Sequence, residues 1–421
     1  MNDRLRLLFH RIGEQLWIKP LLMCVLSILG IFLAKAADTT KIGAYVPEIR
    51  HDSIEALLST ISASMLIIAT FAVGSMVTSY ASASSKATPR SFALIIADDV
   101  SQNALSIFIG SFIYSLVGLI ALENGYFERG GRFALFVLTL LVFTLVILTF
   151  VRWLDSIARL GRIQTTIDTV EKATRHALTR RRETPRLQGA ATGLRHEQLT
   201  PVFTQNIGYL QCIDVACLQK YAEKHQLRMR IVCLPGTFCT PDRPLVYVWA
   251  EADTPPTVLG NLDEETLSKA FIVDIERAFT DDPRFGLIVL SEIASKALSP
   301  AINDPGTAIT VIGSMVRLLT EWSNVLETSA QPVKYDRIEV PELSSDDMFD
   351  DAFTAIARYG AGTVEVAVRL QKALHSLAVA GDKRFKEAAL HQARMALTRS
   401  ESALELEEER TAVKAATTAT W

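Results

Sequence analysis

Long uncharged, apolar stretches crowd the first third of the chain and are absent from the rest. Between Asp99 and Glu123 lie 23 residues without a charge, between Arg132 and Arg152 lie 19, and Ala56 to Ser85 adds 30. A helix rises about 1.5 Å per residue, so about 20 apolar residues cross a hydrocarbon core about 30 Å thick. These three stretches therefore predict spanning helices. An earlier one is shorter, with 15 uncharged residues from Pro20 to Ala34 between Lys19 and Lys35. Trp17 and Ile18 lengthen it, and both lysines can snorkel to the interface. Arg4, Arg6 and Arg11 ahead of it, with Ala34-Lys35-Ala36 behind, also fit a cleaved signal peptide. The long basic segment and the further spans favour a retained helix. The expected spans are about 17–37, 56–79, 100–122 and 133–151, making residues 1–152 a transmembrane domain.

The second span differs in texture. Ser59, Thr60, Ser62, Ser64, Thr70, Gly74, Ser75, Thr78, Ser79 and Ser82 are scattered through it. Small residues let helix backbones approach, and hydroxyls bond across helices or line a wet path. Tight packing inside one subunit is the plain account. Ser64, Ser75, Thr78 and Ser82 are the candidates for a pore or a helix contact. Ser111 and Ser115 in the third span form a small-xxx-small pair, a weak signal alone. Between spans two and three, Thr88-Pro89-Arg90 reads as the start of a short interfacial helix that ends at Asp98 and Asp99. Basic residues flank the N-terminal segment and follow the fourth span (Arg152, Arg159, Arg162, Lys172, Arg175, Arg180, Arg181, Arg182). The positive-inside rule then places both termini in the cytoplasm.

Beyond residue 152 the pattern is that of a soluble protein. A helical stalk is expected to about Arg182, with Thr184-Pro185 and Gly189 to Gly193 as linker, so that 153–200 joins the two parts. Residues 201–345 read as an α/β domain. Its first part is a β-α-β-type unit: strand Gly208 to Ile213, a helix capped by Asp214 with Val215, Leu218 and Ala222 inward, and an alternating strand from Leu227 to Cys233. Pro235-Gly236 makes a turn before a strand from Leu245 to Trp249. Phe271 to Phe279 reads as another strand, carrying Asp274, Glu276 and Arg277. Asp282-Pro283 and Asn303-Asp304-Pro305 each combine an N-cap with a proline at the first helical position. Residues 346–421 read as C-terminal helices, broken at Gly360-Ala361-Gly362, with a last helix from about Asp382 to Glu409 and a frayed tail.

Composition adds little. The hydrophobic fraction is 49% and the net charge −3, which gives no basic excess to suggest nucleic acid. Cys24, Cys212, Cys217, Cys233 and Cys239 show no Cys-x-x-Cys spacing, and no metal site or cofactor is expected. No histidine falls between His225 and His375, so no catalytic set can be assembled around the polar turns of 274–307. There, the helix N-termini and Arg277 form a candidate anion or carboxylate site with Asp281, Asp282, Ser299, Asn303, Asp304 and Thr307. The plain account is that Asp282 and Asp304 only cap helices.

Several of these motifs resemble one family. They are Ser59 to Arg90 with Asp99, Phe108, Phe112 and Tyr114; Gly208-Tyr209 with Ile213-Asp214; Pro235-Gly236 before Phe238; and Ala297-Leu298-Ser299-Pro300 running into Asn303-Asp304-Pro305 and Thr307-Ala308. Ala352-Phe353, Ile356 and Tyr359-Gly360 complete the set. They resemble the bacterial predicted-membrane-protein family called domain of unknown function 2254. Ala278 after Arg277 and Thr237 before Phe238 depart from its pattern. The resemblance implies a multi-pass protein of the bacterial inner membrane and brings no established activity. The favoured reading is a homo-oligomeric channel or transport-type protein in the lipid bilayer with a cytoplasmic regulatory domain. The alternative is a membrane-anchored sensor that binds a small ligand or partner, and an enzyme at the membrane face ranks third.

Overall fold

The computed structural model describes residues 17–40, 45–86, 88–96, 99–159, 162–193, 199–250, 257–324 and 333–418. Arg4, Arg6, Arg11 and Asp98 lie outside them, as do the side chains of Ser84, Ser85 and Asp99. The chain divides into two compact units, one ending at Thr166 and the other beginning at Ile167.

The first unit holds α1 (Ile18–Ala36), α2 (His51–Lys86), the short α3 (Pro89–Ile96), α4 (Asp99–Glu123) and α5 (Arg129–Arg159). Four of these helices are long and apolar enough to cross a membrane: Ile18–Thr39, His51–Ser82, Val100–Glu123 and Arg129–Arg159. In α2 the buried positions are Ile54, Leu58, Ile61, Met65, Ala69, Ala72 and Met76. Steps of three and four place them on one face, which packs inward. With 36 residues, α2 is about 54 Å long, well beyond the about 30 Å it must cross.

The most buried span is α4, which packs against α1, α2 and α5. Gly110 makes this possible, because a Cβ there would sit 2.9 Å from the Met23 Cβ. The same close approach lets the Ser27 hydroxyl donate to the Gly110 carbonyl at 2.7 Å. Trp153 is fully buried, its ring within 6.0 Å of both Phe108 and Phe150. Asp38 accepts from the backbone N–H groups of Glu128 and Gly131 at the start of α5. That satisfies donors a helix N-terminus otherwise leaves open.

The second unit opens with α6 (Ile163–Glu183), whose first four residues precede the boundary. Arg162 belongs to neither α5 nor α6, in the stretch where the sequence predicts a helical stalk. Next come β1 (Gly189–Ala190), β2 (Thr200–Val202), β3 (Gly208–Ile213), α7 (Val215–His225), β4 (Leu227–Ile231), β5 (Phe238–Cys239) and β6 (Val246–Ala250). They are followed by α8 (Thr257–Gly260), α9 (Glu264–Ser268), β7 (Phe271–Asp274), α10 (Pro283–Ala297), α11 (Pro305–Ser323) and β8 (Tyr335–Glu339). The chain closes with α12 (Ser345–Tyr359), α13 (Val364–Ala380), α14 (Lys383–Ala403) and α15 (Glu407–Thr418).

Five strands form a mixed sheet in the order β1-β8-β4-β6-β2, and three more form an antiparallel sheet, β5-β3-β7. Two sequence expectations change here. The β-α-β reading of 208–233 fails as a single-sheet unit, because β3 and β4 belong to different sheets. The alternation of each strand reported one buried face but not its neighbours. Leu210 and Ile213 of β3 nevertheless share a core with Met229 and Ile231 of β4 and with Leu218 of α7. The strand expected to run to Phe279 stops at Asp274. Its carboxylate accepts the next backbone N–H, from Ile275 at 2.7 Å, which removes that donor from the ladder. Ile275 is then 83% exposed, and Arg277 turns toward Asp282.

The helices form a separate layer, in which α10 packs on α11 and α12, α11 on α13, and α14 on both α12 and α13. The last helix also departs from expectation. It breaks at Leu404, which is buried with Ala367 and Val413 in a small apolar cluster. The supposed tail is α15, which folds back onto α13 and α14 with Val413 and Ala416 buried.

Candidate functional site

The polar cluster expected at 274–307 divides in two. Asp282 caps the N-terminus of α10, and the backbone N–H of Asp304 bonds to the Ala297 carbonyl at its C-terminal end. Fifteen residues at about 1.5 Å each put about 22 Å between those ends. Arg277, Asp281 and Asp282 are therefore brought together, and Ser299, Asn303, Asp304 and Thr307 are grouped elsewhere. The two helix N-termini therefore do not meet in one site with Arg277, since they lie at opposite ends of α10.

At the first end, Pro235-Gly236 sets the geometry. Gly236 has φ +93°, and a Cβ on it would lie 2.7 Å from Arg277 Nη2. Only glycine suits both the backbone conformation and the space. The Asp282 side chain is 1% exposed and takes Arg277 Nε at 2.8 Å and Nη2 at 2.6 Å on one oxygen. Its other oxygen accepts the Phe285 N–H at 3.2 Å. The Arg277 guanidinium lies over the rings of Phe285 and Tyr209, 5.2 and 5.8 Å from their centroids. Burial pushes the Asp282 carboxyl above its ordinary value, and the Arg277 charge and hydrogen bond only partly offset that.

The arginine run at the end of α6 joins the same cluster. Arg180 pairs with Asp281 at 2.8 Å. Arg181 is buried, and neither of its terminal nitrogens has a hydrogen-bond partner. Burial lowers its pKa to about 10 against the opposing pull of Asp281 and Asp282. Arg284, in the first turn of α10, pairs with Asp347 and Asp351 of α12, each at 2.6 Å. Four arginines thus face four aspartates. The charges close on one another, so Arg277 and Asp282 are joined to each other and not held open for a ligand. This partnership is not legible in the sequence, because α6 and α12 lie about 100 and 70 residues from Asp282 along the chain.

At the second end the side chains of Ser299, Asp304 and Thr307 are satisfied within the turn. Ser299 Oγ donates to the Lys296 carbonyl at 2.7 Å. Asn303 takes the left-handed backbone, with φ 49°, which asparagine tolerates better than most residues. Asp304 accepts the Thr307 N–H at 3.0 Å and the Thr307 hydroxyl at 2.6 Å. Those two bonds hold the Asp304 carboxyl below its ordinary value. The Ser-Pro…Asn-Asp-Pro signature is therefore the chemistry of a tight helix-to-helix turn.

In the membrane unit, Ser64, Ser75, Thr78 and Ser82 are spaced by 11, 3 and 4 residues. At about 100° per residue these steps keep them within one flank of α2, beside its packed face. Thr78 is exposed and the other three are half-buried. Thr60, Thr70 and Thr78 each donate to the carbonyl four residues earlier, at 2.7, 2.9 and 3.0 Å. These hydroxyls need no partner helix. Buried polar side chains concentrate instead in α4, at Ser101, Gln102, Ser106, Ser111 and Ser115. Of these, the sequence singled out only the last two, for their spacing.

Among the described residues no group of three or more His, Cys, Asp or Glu side chains is placed to hold a metal ion. The five cysteines are free thiols, with Cys212, Cys233 and Cys239 buried.

The family model described as a predicted membrane protein, DUF2254, matches residues 13–376. Among curated proteins the chain is similar to uncharacterized proteins of Mycobacterium tuberculosis and Mycobacterium bovis. It is 28% identical to each over 300 residues, covering 68% of this chain and 55% of theirs. The chain thus spans about half the length of the curated relatives it matches. No solved structure matches it. With four helices of membrane-spanning length and a family model that covers most of the sequence, the chain belongs to the DUF2254 family of predicted membrane proteins.

Proposed function

We propose that the protein assembles in the bacterial inner membrane as a homo-oligomer and forms a transport path for a small polar solute between its copies. The soluble unit then acts as the cytoplasmic regulatory part. The carrying observation is the flank of α2 that holds Ser64, Ser75, Thr78 and Ser82. The other spans leave it partly uncovered, and beside it Gly74 has open space where a Cβ would stand. Hydroxyls on an outward flank line no path inside one subunit, so a path along them needs a second copy. Small residues there suit close helix contact. Basic residues at Lys19 and from Arg152 onward support cytoplasmic termini.

The test is the mass of the detergent-solubilised protein together with ion and solute flux in reconstituted liposomes. Ser75→Trp and Thr78→Trp should reduce flux at least tenfold, while Val73→Trp, exposed on the far side of α2, should not. A monomer without flux would overturn the reading. A membrane-anchored sensor is the second reading, favoured by the buried, unpartnered guanidinium of Arg181. It requires ligand-dependent stabilisation that is lost in Arg181→Met.

A further inference from the structure

The soluble unit contains a cavity of about 1000 Å³ far along the chain from the α10 turns singled out by the sequence. Three helices build most of it. From α13 come Arg369, Lys372, Ala373, Ser376 and Ala380, spaced by three and four residues and so aligned on one face. From α11 come Gly313, Val316 and Arg317, and from α14 come Lys386 and Leu390, again one turn apart. Gly313 has no side chain to fill the space, and the nearest atom to a Cβ there would be Arg317 Nη1, at 3.7 Å.

The lining is chemically one-sided. Four permanent cations (Arg317, Arg369, Lys372 and Lys386) and His375 border the cavity, and none of its lining residues is acidic. The chain as a whole carries −3, so this is a local departure and not a general basic bias. Arg317 is already held by Glu171, and Lys372 has an interaction of its own. The side chains of Arg369 and Lys386 form no ion pair or hydrogen bond among the described residues. Like charges held around one cavity repel each other unless an anion sits between them. The rest of the wall is apolar: Val316, Ala373, Ala378, Leu390 and Val379, the last 88% exposed at the rim. Ligand sites have this composition, mostly apolar walls with a few polar groups that fix orientation, and this cavity sits at the large end of their size range.

We propose that this cavity binds an organic anion with a doubly charged head and an apolar body, of the phosphate monoester type. Arg369 offers the planar fork that suits phosphate, and Lys386 supplies a compact charge from the neighbouring helix. Val379 and Leu390 cover the apolar body. The proposal does not depend on the transport path along α2, and its test reads binding alone.

The experiment is calorimetric titration of the full chain in nanodiscs of zwitterionic phosphatidylcholine, corrected with empty discs. The probes are 1-naphthyl phosphate, inorganic phosphate and 1-naphthol. Naphthyl phosphate should bind saturably, one per chain, at least tenfold more tightly than either of the other two. Arg369→Glu with Lys386→Glu should weaken it at least tenfold without changing the melting temperature, since both side chains are exposed and unpaired. Ser376→Trp, which narrows the cavity and keeps its charges, should weaken it too. Lys383→Glu with Arg384→Glu, off the cavity, should leave it unchanged. Doping the discs with phosphatidic acid separates the sources. Competition supports a membrane-borne head, and undiminished binding supports a freely soluble ligand. Equal affinity for naphthol and naphthyl phosphate, or full binding in the Arg369/Lys386 variant, would overturn the proposal.

Discussion

Replacing Glu171 by Gln probes the clamp between α6 and α11. The Glu171 side chain is 7% exposed and receives Arg317 through two bonds, Nε to Oε1 at 2.9 Å and Nη2 to Oε2 at 2.6 Å. Arg175 adds a third, at 2.8 Å. Burial works against the charged carboxylate, yet the bonds from Arg317 and Ser314, the Arg317 charge and the Arg175 bond bring its pKa from 4.5 down to about 2. At about 1.4 kcal/mol per pKa unit this fall corresponds to about 3 kcal/mol of stability at pH 7. The Arg317 side chain is 54% exposed, and solvent screening reduces the figure to about 2 kcal/mol. A depressed folded-state pKa contributes fully above the unfolded value of 4.5 and is lost as pH falls toward about 2. Glu171→Gln should therefore cost about 2 kcal/mol at pH 7, and the gap to the parent protein should narrow to under half of that by about pH 3. Urea titration of the full chain, read by amide exchange in α6 and α11, measures both numbers. An equal gap at pH 7 and pH 3 would refute the electrostatic reasoning and assign the loss to packing.

Gly286→Ala places a Cβ against Thr174 Oγ1 and 2.7 Å from the Thr174 Cβ, so overpacking should cost about 1–3 kcal/mol, and adding Thr174→Ala, which removes the hydroxyl and keeps the Cβ, should restore part of it in a double-mutant cycle. Asp282→Ala strips a buried arginine of its carboxylate and should destabilise by about 3–5 kcal/mol, while Arg277→Met in the same chain should recover part of the loss in thermal melts. The Asp282 carboxyl is raised, so its charge weakens the fold as pH climbs through that raised value, with a slope opposite to that of Glu171. Gly110→Leu cannot be accommodated against Met23, and should expose Cys24 of α1 to a membrane-permeant thiol reagent at least tenfold faster.

The four spans, the caps at Asp214, Asp282 and Asp304, and strands β3 and β4 were legible because each rests on local chemistry. Hydrocarbon thickness fixes a span, and a carboxylate at a helix start, followed by Pro after Asp282 and Asp304, fixes a cap. Strand partners were not legible. The alternation of Leu227, Met229 and Ile231 reports a buried face, but whether β4 joins β3 or β8 depends on packing between distant segments. The end of β7 followed from the Asp274 carboxylate capturing its neighbour's N–H, a local bond that competes with the ladder and leaves the apolar pattern unchanged. The break at Leu404 was hidden for a related reason. Leu404 continues an apolar helical row, and only its burial beside Val413 turns the chain back.

The candidate site shows the same division, and charge balance accounts for it. Near Asp282 the sequence shows two arginines, Arg277 and Arg284, beside carboxylates, which looks like an anion site with acidic neighbours. Folding brings in Arg180 and Arg181 with Asp347 and Asp351, so four positive charges meet four negative ones. A network that neutralises itself has little left to attract an ion, and its worth is in tying α6, α10 and α12 together. The cavity between α11, α13 and α14 has the reverse character. Arg317 there is taken by Glu171, whereas the side chains of Arg369 and Lys386, unremarkable as helix-surface residues, are unpaired among the described residues beside a space lined by no carboxylate. Local patterns report which residues are charged, but only the fold reports which charges lack a counterpart. By that criterion the unbalanced cavity, and not the balanced Arg277–Asp282 cluster, is the place in this unit where an external anion gains most.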